Sequence, residues 1–572
     1  MRKRERTIRI RLVTGALCIA ALVLVGRSYQ LQIVEGAHFR EQAESQYVRE
    51  TTNLYNRGSI FFTTRDGTTL SAAAVQGGYT LAVNPAMVTD APVLCQAISQ
   101  LIAIDVELCG ARASLENRTY VELIDRIDEI AAEPLFLIDD EALLLVPQQW
   151  RYYPGGSIAA KVVGFVGFTS ESNALHGKYG LERQYDDVLY RQSDARRVNF
   201  FAELFTDLGD YVTNTKHEQS GDLITTLEPS VSRMLDTVLQ ETHNKYDSRT
   251  TGAIIMRPDT GEIVAMTAVP GFDLNDRAEA TIDQFQNPLI ENVYEFGSTI
   301  KALTVAAGLD SGVITAKSTY NDTGSLALDG FTIRNFDGRA RGVVPMQEVL
   351  NQSLNTGVSH IVQLMGKERF RDYFLDFKLG SETGIDLPNE AFGLVGNLNA
   401  RTDVEYATAS FGQGIAMTPI ATTRALAVLA NGGRLVTPHI AKEILLADGT
   451  TRAIRYPEGA SVLTAETSEE ISRMLKVVVD DALRNGTVAL PNHTIAAKTG
   501  TAQIPDPVNG GYHDDRYLHS FFGYFPAYDP EFIIFLYTVE PKGVRYASET
   551  LTDPFMNLTE FLINYYSIPP DR

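Results

Sequence analysis

Three short motifs that are far apart in the chain place the strongest constraint on its fold, because they can act chemically only if the fold brings them together. Ser298-Thr299-Ile300-Lys301 comes first, Ser353-Leu354-Asn355 second and Lys498-Thr499-Gly500 third. By chance, a chain of this size contains each of the first two patterns about once or twice, and about one chain in eight contains the third. A single motif is therefore read as a solvated helix start or a turn. Their order and sequence context favour one shared cleft.

The first motif places a hydroxyl and an amine on one face of a predicted helix, Ser298–Leu309. A serine after Gly297, at the helix start, lies beside unpaired backbone N–H groups that suit an oxyanion. Lys301 follows one turn later on the same face. A lysine can accept a proton from a hydroxyl only when it is neutral, and burial together with a second cation, Lys498, would lower its pKa. We therefore expect Ser298 to be a nucleophile and Lys301 its general base.

The other two motifs supply groups for the opposite walls of such a cleft. Ser353 and Asn355 can face one cleft from a tight turn, Ser353 to relay a proton to a leaving group and Asn355 to bind a substrate amide and hold Lys301. The segment 498–501 fits an edge strand on which a peptide can add as a further strand. In it, we expect Gly500 to leave room for the peptide, and Thr499 and Thr501 to bind its terminal carboxylate.

The pattern of elements predicts two units after the N-terminal segment, as expected for a chain of 572 residues. Residues 28–220 are mixed and strand-leaning, with alternation at Tyr79–Val83 and helical periodicity near Val93–Ile104 and Thr119–Ala132. Residues 221–572 begin and end with strands around a helical middle, which predicts an α+β unit on an antiparallel sheet flanked by helices. Its predicted helices are Pro229–His243 and Asp553–Tyr565, and its predicted strands are Leu223–Leu227, Thr251–Met256, Ile263–Thr267, Thr494–Thr501, Ser520–Phe525 and Phe532–Val539.

The N-terminus predicts a single membrane anchor. An uncharged apolar run, Leu12–Gly26, is closed by Arg27 and follows a basic cluster formed by Arg2, Lys3, Arg4, Arg6, Arg9 and Arg11. The excess of positive charge places residues 1–11 in the cytoplasm, the helix at 12–27 in the membrane and the rest outside. The alternative is a cleaved signal peptide, but no A-x-A-like site follows the run.

Composition excludes some functions and leaves one question open. With 50 Lys and Arg against 71 Asp and Glu, the net charge of −21 argues against a nucleic-acid partner. The sequence has no metal-ligand spacing such as C-x-x-C or H-E-x-x-H, so no metal or other cofactor is predicted. Cys95 and Cys109 either pair as a disulfide outside the membrane or remain two buried thiols.

With these motifs in view, the chain resembles a class B penicillin-binding protein, the monofunctional peptidoglycan transpeptidase class, over nearly its whole length. Four segments of residues 221–572 are similar to family signatures, and three segments of residues 28–220 resemble the family's non-catalytic pedestal domain. Phe296 departs from the family's usual proline and Ala497 from its common glycine. The signatures are Glu295–Lys301, Ala496–Gln503, Ser410–Ile415 and Ser520–Ala527, and the pedestal segments are Arg57–Ile60, Arg151–Gly155 and Gly180–Glu182.

The resemblance implies a two-step acyl transfer in bacterial cell-wall synthesis. Ser298 would attack the penultimate D-Ala carbonyl of a stem peptide, the backbone N–H groups of Ser298 and Thr501 would form the oxyanion hole, and a second stem's amine would resolve the acyl-enzyme. β-Lactams would act as inhibitors. The resemblance further implies a single-pass protein of the cytoplasmic membrane, most like the division-specific branch with the elongation-specific branch close behind. Its expected partners are a SEDS-type glycosyltransferase and division proteins.

A protein with these three motifs could also have a different function. A β-lactamase or β-lactam sensor would turn a penicillin over rapidly or respond to it, and a D,D-carboxypeptidase would pass the acyl group to water. A non-catalytic scaffold would carry a dead site, which intact Ser298, Lys301, Ser353, Asn355 and Lys498 argue against.

Overall fold

The structure, a computed structural model, describes residues 57–168, 175–191, 220–446 and 448–572. All of them belong to one of the two units into which the chain divides by its internal contacts. The predicted cytoplasmic tail at 1–11 and anchor at 12–27 lie outside the described residues. Within the described ranges, no helix is both long and apolar enough to cross a membrane.

The strands, numbered in chain order, account for most of the framework. They are β1 Ile60–Thr63, β2 Thr69–Val83, β3 Val121–Asp128, β4 Leu143–Tyr152, β5 Val166–Phe168, β6 Leu175–Gly177, β7 Gly221–Thr225, β8 Thr250–Met256, β9 Ile263–Val269, β10 Thr319–Asp322, β11 Ser325–Leu328, β12 Phe331–Arg334, β13 Gly342–Pro345, β14 Ala441–Leu446, β15 Thr451–Ala453, β16 Ala496–Pro505, β17 Tyr512–Phe525 and β18 Phe532–Val539.

The α-helices are numbered in the same way. They are α1 Ala91–Ser99, α2 Val106–Ala113, α3 Glu129–Ala132, α4 Ala160–Val163, α5 Gly180–Gln184, α6 Asp186–Leu189, α7 Pro229–Tyr246, α8 Ile282–Phe285, α9 Lys301–Asp310, α10 Met346–Asn351, α11 Asn355–Met365, α12 Lys367–Asp376, α13 Asp403–Ala409, α14 Pro419–Ala427, α15 Ala465–Val477, α16 Ala547–Thr550 and α17 Thr552–Tyr566.

A five-stranded antiparallel sheet carries the C-terminal half, in the order β16-β17-β18-β8-β9. Its strands alternate their apolar side chains between two cores, as the two-residue period of a strand requires. On one face, Ile255 of β8 and Ile534 of β18 pack with Leu235 of α7 and Leu558 of α17. On the other face, the neighbouring residues of these strands pack with α9, α11 and α14. The predicted α+β unit, a sheet between helical layers, is confirmed.

A second sheet crosses the boundary predicted between residues 220 and 221. Its strands run in the order β15-β14-β7-β1-β2-β3, with β4 also paired to β2. β1 pairs with β7 in parallel through Ile60 and Leu223, and β7 pairs with β14. Strands of the first predicted unit therefore share hydrogen bonds with strands of the second.

The residues that resembled a pedestal domain meet in a buried ion cluster. Glu182, which has no exposed surface, accepts hydrogen bonds from Arg57 Nε at 2.6 Å and from Arg151 Nε at 2.7 Å. Arg57 Nη1 also contacts Asp186 Oδ1 at 2.6 Å. Removing one partner of such a cluster would leave a buried charge uncompensated, which costs about 3–5 kcal/mol.

In residues 57–191, the structure answers one question that the sequence left open and shows that one prediction is wrong. Cys95 and Cys109 form a disulfide, which joins α1 to α2. The helical periodicity near Thr119–Ala132 was misleading, because residues Val121–Asp128 form β3 and only Glu129–Ala132 is helical. Leu123 and Ile127 are both buried, and a spacing of four residues puts two side chains on one face of a strand as well as of a helix.

Candidate active site

The nucleophile candidate lies in a tight turn that is packed against the edge strand. A 3₁₀ turn, Gly297–Ile300, leads into α9, which begins at Lys301. Gly297 has a φ of +62°, and a Cβ there would lie 2.8 Å from the carbonyl oxygen of Thr501. Only glycine suits both conditions, the left-handed backbone and the close approach. The turn thus places Ser298 beside β16.

Close packing also requires a glycine in the edge strand β16, at Gly500. A Cβ at Gly500 would lie 2.4 Å from Ser520 Oγ and 2.5 Å from the carbonyl oxygen of Phe296. That carbonyl also accepts a hydrogen bond from Ser520 Oγ at 2.7 Å. The sequence predicts that Gly500 makes room for a peptide, whereas its nearest neighbours here are Ser520 of β17 and Phe296, which directly precedes the nucleophile turn.

The second motif forms a strained turn between α10 and α11. Ser353 has a φ of +54°, in the left-handed region that a residue with a side chain rarely occupies. In this conformation its carbonyl oxygen and its hydroxyl both face Lys301. Strain of this kind costs about 1–3 kcal/mol and persists where the surrounding contacts demand it.

Two lysines from different elements converge on the Ser353 hydroxyl. Lys301 Nζ donates to Ser353 Oγ at 3.1 Å and to Ser353 O at 2.6 Å. Lys498 Nζ donates to the same Oγ at 3.2 Å and to Thr499 O at 2.9 Å. Side chains separated by many residues in sequence therefore form one hydrogen-bonded group, as the motifs predicted.

Burial changes the proton affinity of both amines. Lys301 has no exposed surface and Lys498 only 3%. Burial first, and then the charge of Lys498, hold the pKa of the Lys301 amine well below its usual range. Burial lowers the pKa of the Lys498 amine to about 7. Both shifts follow from the cost of a cation away from water, and both make a neutral amine available near neutral pH.

These groups border an open cleft with a volume of about 940 Å³. Of the predicted site residues, Ser298, Ser353, Asn355, Lys498, Thr499 and Thr501 line it. Lys301 and Gly500 are buried next to the cleft, Lys301 behind Ser353 and Gly500 against the nucleophile turn. The structure thus brings the predicted site residues together around one cleft.

Two side chains make contacts that the sequence analysis did not foresee. Asn355 Nδ2 donates to the carbonyl oxygen of Arg334 at 2.8 Å, whereas both side-chain hydrogen bonds of Lys301 within the described residues go to Ser353. Thr501 Oγ1 accepts a hydrogen bond from the backbone N–H of Ala547 at 3.0 Å. The Thr501 hydroxyl can still donate its proton into the cleft.

Several cleft residues were missed by reasoning from motifs. Phe336 and Tyr546 line the cleft and pack edge to face, with ring centroids 5.9 Å apart. They come from loops that are remote in sequence, and no sequence pattern pairs them. Gln413 and Gln503 also line the cleft. Both lie inside segments quoted for the family resemblance, so those segments carried a signal for them.

An antiparallel sheet between helical layers, with a serine and two buried lysines around one cleft, is the arrangement of the active-site-serine acyltransferases that react with penicillin. The profile that describes the penicillin-binding protein transpeptidase domain matches residues 251–559. The chain therefore belongs to the penicillin-binding protein transpeptidase family.

Similar proteins cover most of the chain. Stage V sporulation protein D of Bacillus subtilis is 28% identical, over 97% of this chain and 85% of that protein. The probable peptidoglycan D,D-transpeptidase PenA of Neisseria gonorrhoeae is 24% identical, over 99% of this chain and 94% of that protein. The apo crystal structure of penicillin-binding protein 3 from Mycobacterium tuberculosis is 28% identical, with a TM-score of 0.64 over 74% of this chain and 92% of that chain. Structures of that protein with aztreonam and with ampicillin are 24% identical, cover 90% of this chain and 97% and 96% of theirs, and have a TM-score of 0.67.

Proposed function

We propose that this protein is a peptidoglycan D,D-transpeptidase that cross-links stem peptides through an acyl-enzyme on Ser298. The observation that carries the proposal is the convergence of Lys301 and Lys498 on Ser353 Oγ, at 3.1 and 3.2 Å, in the cleft that Ser298 lines. The family membership and the names of the relatives support the same reaction.

The hydrogen bonds of Lys301 suit it to accept the proton of Ser298. A neutral amine has two N–H donors and one lone pair. Both donors are occupied by Ser353, which leaves the lone pair for the hydroxyl of Ser298, in the 3₁₀ turn that leads into α9. In the first step, Ser298 Oγ bonds to the penultimate D-Ala carbonyl carbon, and its proton moves to Lys301. The backbone N–H groups of Ser298 and Thr501 are proposed to hold the resulting oxyanion.

The hydroxyl of Ser353 is placed to protonate the leaving group. It accepts hydrogen bonds from both lysines, which occupies its two lone pairs and frees its own proton to donate. The C–N bond then breaks, the terminal D-Ala leaves as an amine, and Ser353 regains a proton from the lysines. Asn355 is proposed to bind the substrate amide, and Thr499 and Thr501 the terminal carboxylate. In the second step, the amine of a neighbouring stem bonds to the acyl carbon and the ester bond to Ser298 Oγ breaks. The proton that the amine loses passes through Ser353 and Lys301 to Ser298 Oγ, which restores the free serine.

A fluorescent penicillin tests the nucleophile. The full-length protein in detergent should become labelled and remain labelled, whereas Ser298→Ala should not. Ser311→Ala is a matched control, because Ser311 follows the C-terminal end of α9 and does not line the cleft. Labelling that persists in Ser298→Ala would contradict the assignment. Rapid loss of label from the wild type would favour a β-lactamase instead.

The proposal includes the location of the reaction. We propose that the predicted anchor at 12–27 holds the catalytic part outside the cytoplasmic membrane of a bacterium and that the reaction takes place at the septum, a proposal that the division-branch resemblance supports. Residues 28–220 are proposed as a pedestal that contacts a SEDS-type glycosyltransferase and other division proteins. A protein lacking residues 1–220 that still co-purifies with that membrane complex would contradict the pedestal's role.

A further inference from the structure

A carboxyl group that the proposed reaction does not use lies three residues before the nucleophile. Glu295 is half-buried, and its two oxygens accept hydrogen bonds from different parts of the chain. Oε1 accepts from the backbone N–H of Gly414 at 3.1 Å, and Oε2 accepts from the hydroxyl of Tyr512 at 2.9 Å. One side chain thus ties together three segments.

Burying the carboxyl group of Glu295 without a cation beside it costs free energy. Burial raises its pKa to about 7, and its hydrogen-bond partners are both neutral. Among the described residues, no lysine, arginine or histidine adds a charge interaction to Glu295. An acid that is buried without a cation gains little stability, so a role in holding its two partners explains it better.

Both partners of Glu295 are close to residues that line the cleft. Gly414 follows Gln413, which lines the cleft. Tyr512 begins β17, which pairs with β16 as far as Pro505. Gln503 of β16 also lines the cleft, and its Nε2 donates to the carbonyl oxygen of His513 at 3.1 Å. Glu295 therefore connects the glutamine on the edge strand with the glutamine on the neighbouring loop.

The direction of the edge strand indicates which part of a substrate would meet these glutamines. A peptide that adds antiparallel to β16 has its C-terminal end towards Thr499 and its N-terminal end towards Gln503. With the reacting carbonyl between Ser298 and Thr501, the leaving D-Ala lies near Thr499. The residues that precede the reacting D-Ala then pass Gln503 and Gln413.

We propose that Glu295, through Gly414 and Tyr512, is a positioning residue for the part of the donor stem peptide that precedes the reacting D-Ala. The inference rests on the proposed transpeptidase function and deepens it. Glu295 increases the affinity for long donors by holding the segments of Gly414 and Tyr512 in place beside the cleft. It takes no part in bond making or breaking.

The test compares donors of different length on the full-length protein in detergent. The long donor is a stem pentapeptide that ends in D-Ala-D-Ala, the short donor is N-acetyl-D-Ala-D-Ala, and a fluorescent penicillin reports acylation of Ser298 itself. The variants are Tyr512→Phe, which removes one hydrogen bond, Glu295→Ala, which removes both, and Glu295→Gln, which keeps an acceptor for Gly414. The controls are Tyr528→Phe and Glu279→Ala, because both residues are exposed and neither lines the cleft.

We expect the effect to appear in KM for the long donor. Tyr512→Phe and Glu295→Ala should raise that KM about tenfold, as expected for the loss of one or two hydrogen bonds of a half-buried carboxyl group, with Glu295→Gln between them and the wild type. Turnover of the short donor and acylation by penicillin should stay within about twofold. The controls should match the wild type on all three compounds.

Other outcomes separate the inference from the proposed function. Equal losses on the long donor, the short donor and penicillin would overturn the inference, because Glu295 would then support the nucleophile turn in general. Unchanged KM for the long donor in Tyr512→Phe, whose melting temperature shows that it folds, would overturn it as well. A wild-type protein that penicillin does not acylate at Ser298 would overturn the proposed function itself.

Discussion

Ser353 is the residue on which the chemistry of the cleft converges. It accepts a hydrogen bond from each lysine and adopts a left-handed backbone conformation that presents both its hydroxyl and its carbonyl oxygen to Lys301. A residue with a side chain gains nothing for stability from that conformation. The strain is explained by the placement of two buried amines around one proton path.

Burial first, and then the charge of Lys498, lower the pKa of the Lys301 amine, and the contribution of Lys498 predicts a pH effect. Acylation by penicillin should slow as the pH is lowered through the apparent pKa of the pair, because the base must be neutral. In Lys498→Met, the repulsion that lowers the pKa of Lys301 is lost, so the acidic limb of the rate profile should move to higher pH. Stopped-flow acylation rates between about pH 5 and 9 check the shift. A limb that stays in place or moves to lower pH would show that Lys301 is not the base.

Lys301 also affects stability, with a sign that follows from its lowered pKa. In the unfolded chain its amine keeps a proton up to about pH 10.4, whereas the folded protein releases it at a much lower pH. Between these values the unfolded state binds more protons, so the free energy of unfolding rises with pH.

Lys301→Met should therefore show a melting temperature that rises less between about pH 8 and 10 than that of the wild type. The same variant should lose acylation by about 10³-fold, because the general base is gone. Differential scanning calorimetry and penicillin labelling measure the two effects. An unchanged pH slope of the melting temperature would contradict the lowered pKa.

At the scale of elements, the nucleophile turn and the edge strand fit each other through a pair of glycines. Gly297 allows the approach of Thr501, and Gly500 allows the approach of Phe296 and Ser520. Both glycines lie inside segments that resemble family signatures, but the structural reason for them is a contact between segments that are remote in the chain. The motifs predict Gly500 as a site residue that makes room for a peptide, and the structure shows that it also makes room for Phe296 and Ser520.

Gly500→Ala should separate these two segments. The added Cβ would meet Ser520 Oγ at 2.4 Å and the Phe296 carbonyl at 2.5 Å, so the strand or the turn must shift. We expect a loss of about 1–3 kcal/mol in the free energy of unfolding, as for overpacking elsewhere, and slower acylation. Gly271→Ala is the control, because a Cβ there has nothing within 4 Å. Equal stability and equal acylation rates in the two variants would contradict the close packing.

Local patterns predicted elements well where one residue period dominates. The predicted strand Phe532–Val539 has the bounds that the structure shows. The predicted helix Pro229–His243 is three residues longer in the structure and ends at Tyr246. The segment at Thr119–Ala132 was misread because its buried residues, four apart, fit two periods at once. The pairing of this segment with β2 selects the strand over the helix, and the local residue pattern does not contain that long-range contact.

At the scale of the whole molecule, the sequence predicted the site better than its surroundings. Ser298 and Lys301 are neighbours on one turn, so their proximity is local. The meeting of Ser353 and Lys498 depends on the fold, and the order and sequence context of the three motifs predicted a shared cleft for them. The pairing of Phe336 with Tyr546 and the contacts of Glu295 depend on loops from different parts of the chain, and no periodicity reports them.

The stoichiometry of the two products is the sharpest test of transpeptidation through Ser298. The full-length protein is given a stem pentapeptide donor together with an acceptor stem that carries a free amine, and released D-Ala and cross-linked peptide are counted by mass spectrometry. We expect one D-Ala for each cross-link from the wild type, and neither product from Ser298→Ala. Cross-linked peptide formed by Ser298→Ala, or D-Ala released by the wild type without any cross-link, would contradict transpeptidation through Ser298.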